Sequence, residues 1–282
     1  MTHNIPPVQS CVNGELTDQL NIFDRGLAYG DGLFETMRVE SGRVLLWDAH
    51  LTRLLSSCER LGISTEGLIE RVSNDIQLLL STTSVPSVSV LKLIVTRGAG
   101  QRGYAPSSGQ APTVIVSLAP YTEQLDKVQS GVRLRWCEMR LSVNPTLAGM
   151  KHLNRLEQVL ARGEWTTTEV AEGIMCDLDG HVVEGTMSNL FWVNNGELFT
   201  PDLTRCGIEG VLRNTLLACA ERAGIKTHIQ EFQPDSLLNV SEVFICNSLI
   251  NIWPVIALEN TSWPIGRVTQ QLERLLKKEY AV

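Results

Sequence analysis

Ala119-Pro120-Tyr121-Thr122 divides the chain. It follows Thr113 to Leu118, a run that reads as a buried strand, and it precedes a polar stretch and a new strand, Val132 to Trp136. The division predicts an N-terminal α+β domain over 1–118, a linker over 119–124 and a strand-rich C-terminal domain over 125–282. A chain of 282 residues suits one large domain or two modest ones. Strand and helix patterns occur on both sides of the linker, so the fold class is α+β with two domains.

Upstream, Thr36 to Val39 and Val44 to Trp47 flank Glu40-Ser41-Gly42-Arg43, a hairpin signal with glycine where positive φ is needed. Asp48 is placed as an N-cap. Leu51, Leu54, Leu55, Cys58 and Leu61 then recur at helical spacing, and Gly62 supplies the stop, which predicts a helix over about 49–61. Leu68 to Leu80 reads as a second helix and Val88 to Thr96 as a strand. Between the latter and Thr113, Arg97-Gly98-Ala99-Gly100-Gln101-Arg102-Gly103-Tyr104 is a glycine-rich loop with two arginines. Downstream, helices are expected over about 153–161 and 209–222, with strands from Gly173 to Phe199 turning at Asp179-Gly180 and Asn194-Asn195-Gly196. A last amphipathic helix carries Val268, Leu272, Leu275 and Leu276.

Composition narrows the function. Hydrophobic residues make up 43% and charged residues 20%, enough to bury a core. The 24 Lys+Arg against 31 Asp+Glu leave a formal charge of -7, which argues against nucleic-acid or anionic-lipid binding. Seven scattered cysteines without a C-x-x-C pair predict neither a disulfide framework nor a zinc knuckle, and fit a reducing cytoplasm. The N-terminus shows no basic region followed by an apolar run. The stretch Val243 to Leu258 is interrupted by Asn247, Asn251 and Pro254, so it reads as a buried strand and turn with no membrane span. His3, His50, His152, His181 and His228 have no metal-ligand spacing, and no G-x-S-x-G elbow, P-loop or dinucleotide fingerprint is present.

The lysines are informative because there are only six, and Lys127, Lys226, Lys277 and Lys278 have ordinary surface explanations. Lys92 and Lys151 remain. Lys151 lies in Ala148-Gly149-Met150-Lys151-His152-Leu153-Asn154-Arg155, just before an amphipathic helix, where small residues could admit an amine to a cleft; a solvated lysine near a helix start is the plainer alternative. Gly207-Ile208-Glu209-Gly210-Val211 enters a helix and is either an anion cradle or a simple loop. On pattern alone Arg53 is a solvated helix charge and Glu184 a strand-end carboxylate.

Together these pieces resemble the fold-type IV pyridoxal-phosphate enzymes, the group of branched-chain aminotransferase, D-amino-acid aminotransferase and 4-amino-4-deoxychorismate lyase. The resemblance starts at Asp24-Arg25-Gly26-Leu27-Ala28-Tyr29-Gly30-Asp31-Gly32-Leu33-Phe34-Glu35-Thr36 and continues through His50-Leu51-Thr52-Arg53-Leu54 and Lys151. It then takes in Glu184-Gly185-Thr186-Met187-Ser188-Asn189-Leu190-Phe191 and the Gly207 segment. The runs Lys151 to Gln158 and Arg97 to Tyr104, with Cys246-Asn247-Ser248-Leu249, look most like the lyase. Branched-chain aminotransferases usually place a tyrosine a few residues beyond the lysine, where this chain has Asn154 and Arg155.

The resemblance implies two α/β domains with a pyridoxal 5'-phosphate site between them, in a homodimer. It makes Lys151 the Schiff-base lysine and Glu184 the partner of the pyridine nitrogen. Arg53 and Ser248, with the backbone amides of Ile208 and Glu209, become the phosphate ligands. Tyr29, Thr36, Arg97, Arg102 and Tyr104 fall on the substrate side, where two arginines suit a small molecule with two carboxylates. The implied reaction converts 4-amino-4-deoxychorismate to 4-aminobenzoate and pyruvate for folate synthesis, by proton abstraction and loss of the enolpyruvyl group. The alternative is a D-amino-acid or branched-chain aminotransferase of the same fold.

Overall fold

The computed structural model describes residues 9–82, 86–107 and 109–280. The chain forms two compact units, Met1–Thr122 with Lys151–Asn154, and Glu123–Met150 with Arg155–Val282.

In the first unit the elements run β1 (Gln9–Val12), β2 (Glu15–Leu16), α1 (Arg25–Tyr29), β3 (Gly32–Glu40), β4 (Arg43–Val44), α2 (Trp47–Leu61), α3 (Leu68–Thr82), β5 (Val88–Thr96) and β6 (Thr113–Pro120). They build an antiparallel sheet in the order β2-β1-β6-β5-β3-β4. Register puts Leu33, Glu35 and Met37 of β3 beside Val95, Leu93 and Leu91 of β5, and these beside Val114, Val116 and Leu118 of β6. This face is buried, with α2 against β3 and α3 against β6 and β1. Fully burying one of these aliphatic side chains stabilises by about 1.5–3 kcal/mol.

In the second unit come α4 (Leu125–Ser130), β7 (Val132–Leu141), α5 (Leu156–Arg162), β8 (Val170–Asp177), β9 (Val182–Gly185), β10 (Asn189–Asn194) and β11 (Glu197–Pro201). They are followed by α6 (Val211–Arg222), β12 (Thr227–Gln230), β13 (Glu242–Asn247), β14 (Asn251–Leu258), β15 (Thr261–Ser262) and α7 (Arg267–Tyr280). The sheet order is β12-β11-β10-β13-β14-β7-β8-β9, with β15 beside β14. It is mixed: β11 with β12, β14 with β7 and β7 with β8 are parallel. Trp192, Phe232, Trp253 and Trp263 anchor one core cluster with Ile174, Leu190, Ile245 and Val255.

Several boundaries differ from those the sequence predicts. β6 continues through Ala119 and Pro120, so the linker expected at 119–124 starts inside a strand; Pro120 is tolerated as that strand's last residue. The predicted C-terminal domain is also interrupted, because Lys151–Asn154 belong to the first unit. The strand predicted over 44–47 ends at Val44, since Leu46 at φ 53 turns the chain directly into α2. Leu46 is the cap, and Asp48 sits within the first helical turn. The helix predicted from 153 starts at Leu156, because Lys151 and Leu153 make backbone bonds to β3. Val243 to Leu258 does form strand, turn and strand. All seven cysteines are free and buried, and among the described residues no helix is long and apolar enough to cross a membrane.

Candidate active site

Lys151 is fixed by backbone pairing at the start of β3. Phe34 donates its amide to the Lys151 carbonyl at 2.9 Å, Leu153 donates to Gly32 at 3.0 Å, and Leu33 bridges His152. The Lys151 Nζ lies 4.4 Å from the Phe34 ring centroid, within cation–π range. Two residues earlier Gly149 pairs with Ile208 in the second unit, so the lysine follows a segment tied down on both sides. Gly30, in the left-handed conformation at φ 66, ends α1 under Asn154; a Cβ there would come 2.6 Å from Asn154 Oδ1. Lys92, the other lysine of interest, is exposed on β5 with its Nζ 5.5 Å from the same ring.

Arg53 is part of a buried polar cluster. Its Nε donates to Glu35 Oε1 at 2.8 Å and its Nη2 to Glu35 Oε2, and His50 Nδ1 lies 2.7 Å from that same Oε2. Burial alone would raise the Glu35 carboxyl; the Arg53 charge and the hydrogen bonds from His50 and Arg53 outweigh it and pull the pKa down to about 2. Burial pushes His50 the other way from a paired histidine, below its ordinary value, against the Glu35 hydrogen bond and with help from the Arg53 and Lys151 charges. His50 is therefore neutral near pH 7. Sequence reasoning missed both partners. The signals were a carboxylate at a buried strand parity and a histidine one helical turn before Arg53.

The other first-unit candidates divide. Arg97 is a structural tie: Asp31 takes its Nε and Nη2, and the carbonyls of Gly62 and Leu61 take Nη1 and Nη2. Asp31, also held by Arg25, is lowered because these hydrogen bonds and charges overcome its burial. Arg97 thus ties the loop to the fold of the first unit. Arg102 is exposed and Tyr104 is 85% exposed. Arg25 binds the carbonyls of Gly103 and Tyr104, and Tyr29 packs against Tyr104 with centroids 5.4 Å apart. Thr36 lies opposite Lys92 on the half-buried face of β3 that also carries Phe34.

In the second unit Glu184, buried on β9, accepts from the Ile208 amide at 2.9 Å and from Asn189 Nδ2 at 3.4 Å, and Asn189 also donates to the Ile208 carbonyl. Gly207 permits this approach: at φ 87 its missing Cβ would stand 2.8 Å from Val183 Cγ1. The turn after Glu184 is held by Glu172, which accepts from Thr186 Oγ1 at 2.6 Å, Ser188 Oγ at 3.0 Å and the Met187 amide at 3.1 Å. Arg155 lies in reach of Glu184, and its burial lowers its pKa against that charge.

The expected phosphate amides have protein partners in this structure. Ile208 gives its N–H to Glu184, and Glu209 gives its N–H to the Gly149 carbonyl at 3.0 Å. Val211 and Leu212, in the first turn of α6, also present backbone amides. A helix cannot pair them internally, and its cap, Gly210, brings no side chain to them. Ser248 sits in the turn between β13 and β14, which Asn247 Oδ1 fixes by accepting from the Leu249 and Ile250 amides, both at 2.9 Å. In the first unit a held lysine and an arginine, and in the second a buried carboxylate and backbone amides at a helix start, are each the kind of group that an aldehyde-bearing pyridine phosphate takes.

Residues 32–258 match the family model described as amino-transferase class IV. An aminodeoxychorismate lyase from Vibrio harveyi is 36% identical over 93% of this chain and 97% of its own length. A putative branched-chain-amino-acid aminotransferase from Methanocaldococcus jannaschii is 30% identical over 94% of each. Among solved structures, 4-amino-4-deoxychorismate lyase from Pseudomonas aeruginosa superposes with a TM-score of 0.90 at 45% identity, covering 95% of this chain and 98% of that one.

Proposed function

From a chain that belongs to the amino-transferase class IV family, we propose a pyridoxal-phosphate-dependent lyase that converts 4-amino-4-deoxychorismate to 4-aminobenzoate and pyruvate, a step of folate synthesis. The observation that carries the reading is Lys151, a lysine whose backbone is bonded to β3 and whose amine is held at the Phe34 ring. The choice of lyase over aminotransferase is supported by two lyases similar over nearly the whole chain, at 36% and 45% identity, against 30% for the aminotransferase relative.

Bound here, the cofactor supplies an electron-accepting ring for the charge left when a proton leaves the substrate carbon. Lys151 holds it covalently, and its released amine takes that proton as general base, a role typically worth about 10²–10⁴-fold. Glu184 keeps the ring nitrogen protonated, since a carboxylate within reach favours the charged form. The carbon–oxygen bond to the enolpyruvyl group then breaks and the carbocycle becomes aromatic. Arg53, Ser248 and the Ile208 and Glu209 amides take the phosphate, with the Val211 and Leu212 amides at the start of α6 as further candidates. Arg97, Arg102, Tyr104, Tyr29 and Thr36 are the proposed substrate residues, Arg97 being the one already paired with Asp31.

We place the enzyme as a cytoplasmic homodimer. Seven buried free cysteines suit a reducing compartment. Leu156, Val159 and Leu160 leave an apolar face of α5 exposed at 76%, 62% and 61%, the kind of surface a second copy covers. The test of function uses aminodeoxychorismate without any keto acid. Equal release of 4-aminobenzoate and pyruvate over many turnovers supports the lyase. Amino exchange between D-alanine and 2-oxoglutarate without that release overturns it in favour of an aminotransferase.

A further inference from the structure

Glu35 stands at the parity of Leu33, Met37 and Val39 on β3, where an apolar side chain would pack without the cost of desolvating a charge. Its side chain is 2% exposed and that of His50 is 1% exposed, with Arg53 at 13%. Replacing such buried ion pairs by hydrophobic residues is often neutral or stabilising, so stability alone gives little reason for this cluster. What it does provide is geometry. Glu35 grips Arg53 at two points, through Nε and Nη2, which fixes the plane and direction of the guanidinium. His50 Nδ1 in turn holds Glu35 Oε2.

We propose that Glu35 and His50 are positioning residues for cofactor binding, holding the Arg53 guanidinium in the orientation that receives the phosphate. The inference rests on the reading of Arg53 as a phosphate ligand. An arginine side chain left loose loses up to about 2 kcal/mol of rotamer freedom when a ligand orders it; one already clamped does not. The His50 ring has a defined part. Its Nε2 is buried without a hydrogen-bond partner, so the proton belongs on Nδ1, where Glu35 accepts it. A neutral ring also avoids a further cation beside Arg53, consistent with the downward shift of its pKa.

The experiment measures the dissociation constant of pyridoxal 5'-phosphate for protein resolved from its cofactor, by fluorescence quenching. Glu35→Gln should weaken binding about tenfold or more, the scale of a lost charge-assisted hydrogen bond. His50→Leu should weaken it about tenfold, while His50→Asn, whose amide can donate from the Nδ1 position, should stay within about threefold of wild type. In an Arg53→Lys background Glu35→Gln should add almost nothing, because it acts through Arg53. Additive losses in that double variant, or equal binding by His50→Leu and His50→Asn, overturn the positioning role. The His50 pair decides the matter should Glu35→Gln fail to fold. Wild-type affinity in Arg53→Lys, or a wild-type chain that does not bind the cofactor, overturns the phosphate reading and the inference with it.

Discussion

Arg97 and Asp31 form a two-point ion pair, Nε to Oδ2 at 2.8 Å and Nη2 to Oδ1 at 3.0 Å, and two further guanidinium donors close on the carbonyls of Leu61 and Gly62 at the end of α2. The arginine joins the exit of β5 to a helix C-terminus, where a cation is favoured. It therefore belongs to the fold of the first unit. Its loop neighbour Arg102 is exposed.

The two arginines should consequently separate by experiment. Arg97→Ala leaves a partly buried Asp31 with fewer partners and should cost roughly 2–4 kcal/mol, visible as a lowered thermal midpoint. Arg102→Ala should leave stability within about 0.5 kcal/mol and raise KM for the substrate. An unchanged midpoint for Arg97→Ala would contradict the structural role.

Stability should fall on acidification, in two stages. The folded pKa of His50 lies below its ordinary 6.5, so below that pH the unfolded chain binds a proton the folded chain refuses, and stability drops. Glu35, held at about 2 against an ordinary 4.5, contributes roughly 3 kcal/mol that is fully present above pH 4.5 and disappears as pH falls toward 2. Thermal midpoints of wild type and His50→Asn should therefore converge as pH drops from 8 through 6.5. Parallel curves for the two proteins would show that His50 does not titrate this way.

How much of this was legible follows from range. Helix α2 was readable because Leu51, Leu54, Cys58 and Leu61 mark one face locally, and Gly62 at φ 65 ends it. The return of Lys151–Asn154 to the first unit was not readable, since it depends on backbone bonds to β3 from residues over a hundred positions away, which leave no periodic trace. The pairing of Arg97 with Asp31 was hidden for a related reason. A guanidinium in a glycine-rich loop looks the same in sequence whether it meets a ligand or Asp31. The helix expected from 209 starts at Val211 because Gly210, with ψ 136, is its cap, and nothing local distinguishes that glycine from the first one of the run.

Lys151 should carry the cofactor. Purified protein should be yellow, and borohydride reduction followed by peptide mapping should find the pyridoxyl group on Lys151. Lys92 is the sharp control, because its amine also stands over Phe34, at 5.5 Å against 4.4 Å. A label on Lys92 would move the covalent site to β5.

Two buried carboxylates of the second unit should fail in different ways. Glu172 faces the Thr186 and Ser188 hydroxyls and the Met187 and Gly173 amides. Replacing it with glutamine turns an amide toward these donors, at a cost of roughly 1–3 kcal/mol, and should lower the thermal midpoint. Glu184 accepts from the Ile208 amide and Asn189, and a glutamine oxygen can still accept from both. Glu184→Gln should therefore fold and stay yellow. What it loses is the negative charge that we propose holds the proton on the pyridine nitrogen, so turnover should fall by roughly 10²-fold or more, the scale of removing one group that stabilises developing charge. Wild-type turnover in Glu184→Gln would assign the electron-sink role to another residue, while a colourless, unstable Glu184→Gln would make this carboxylate structural, as Glu172 is.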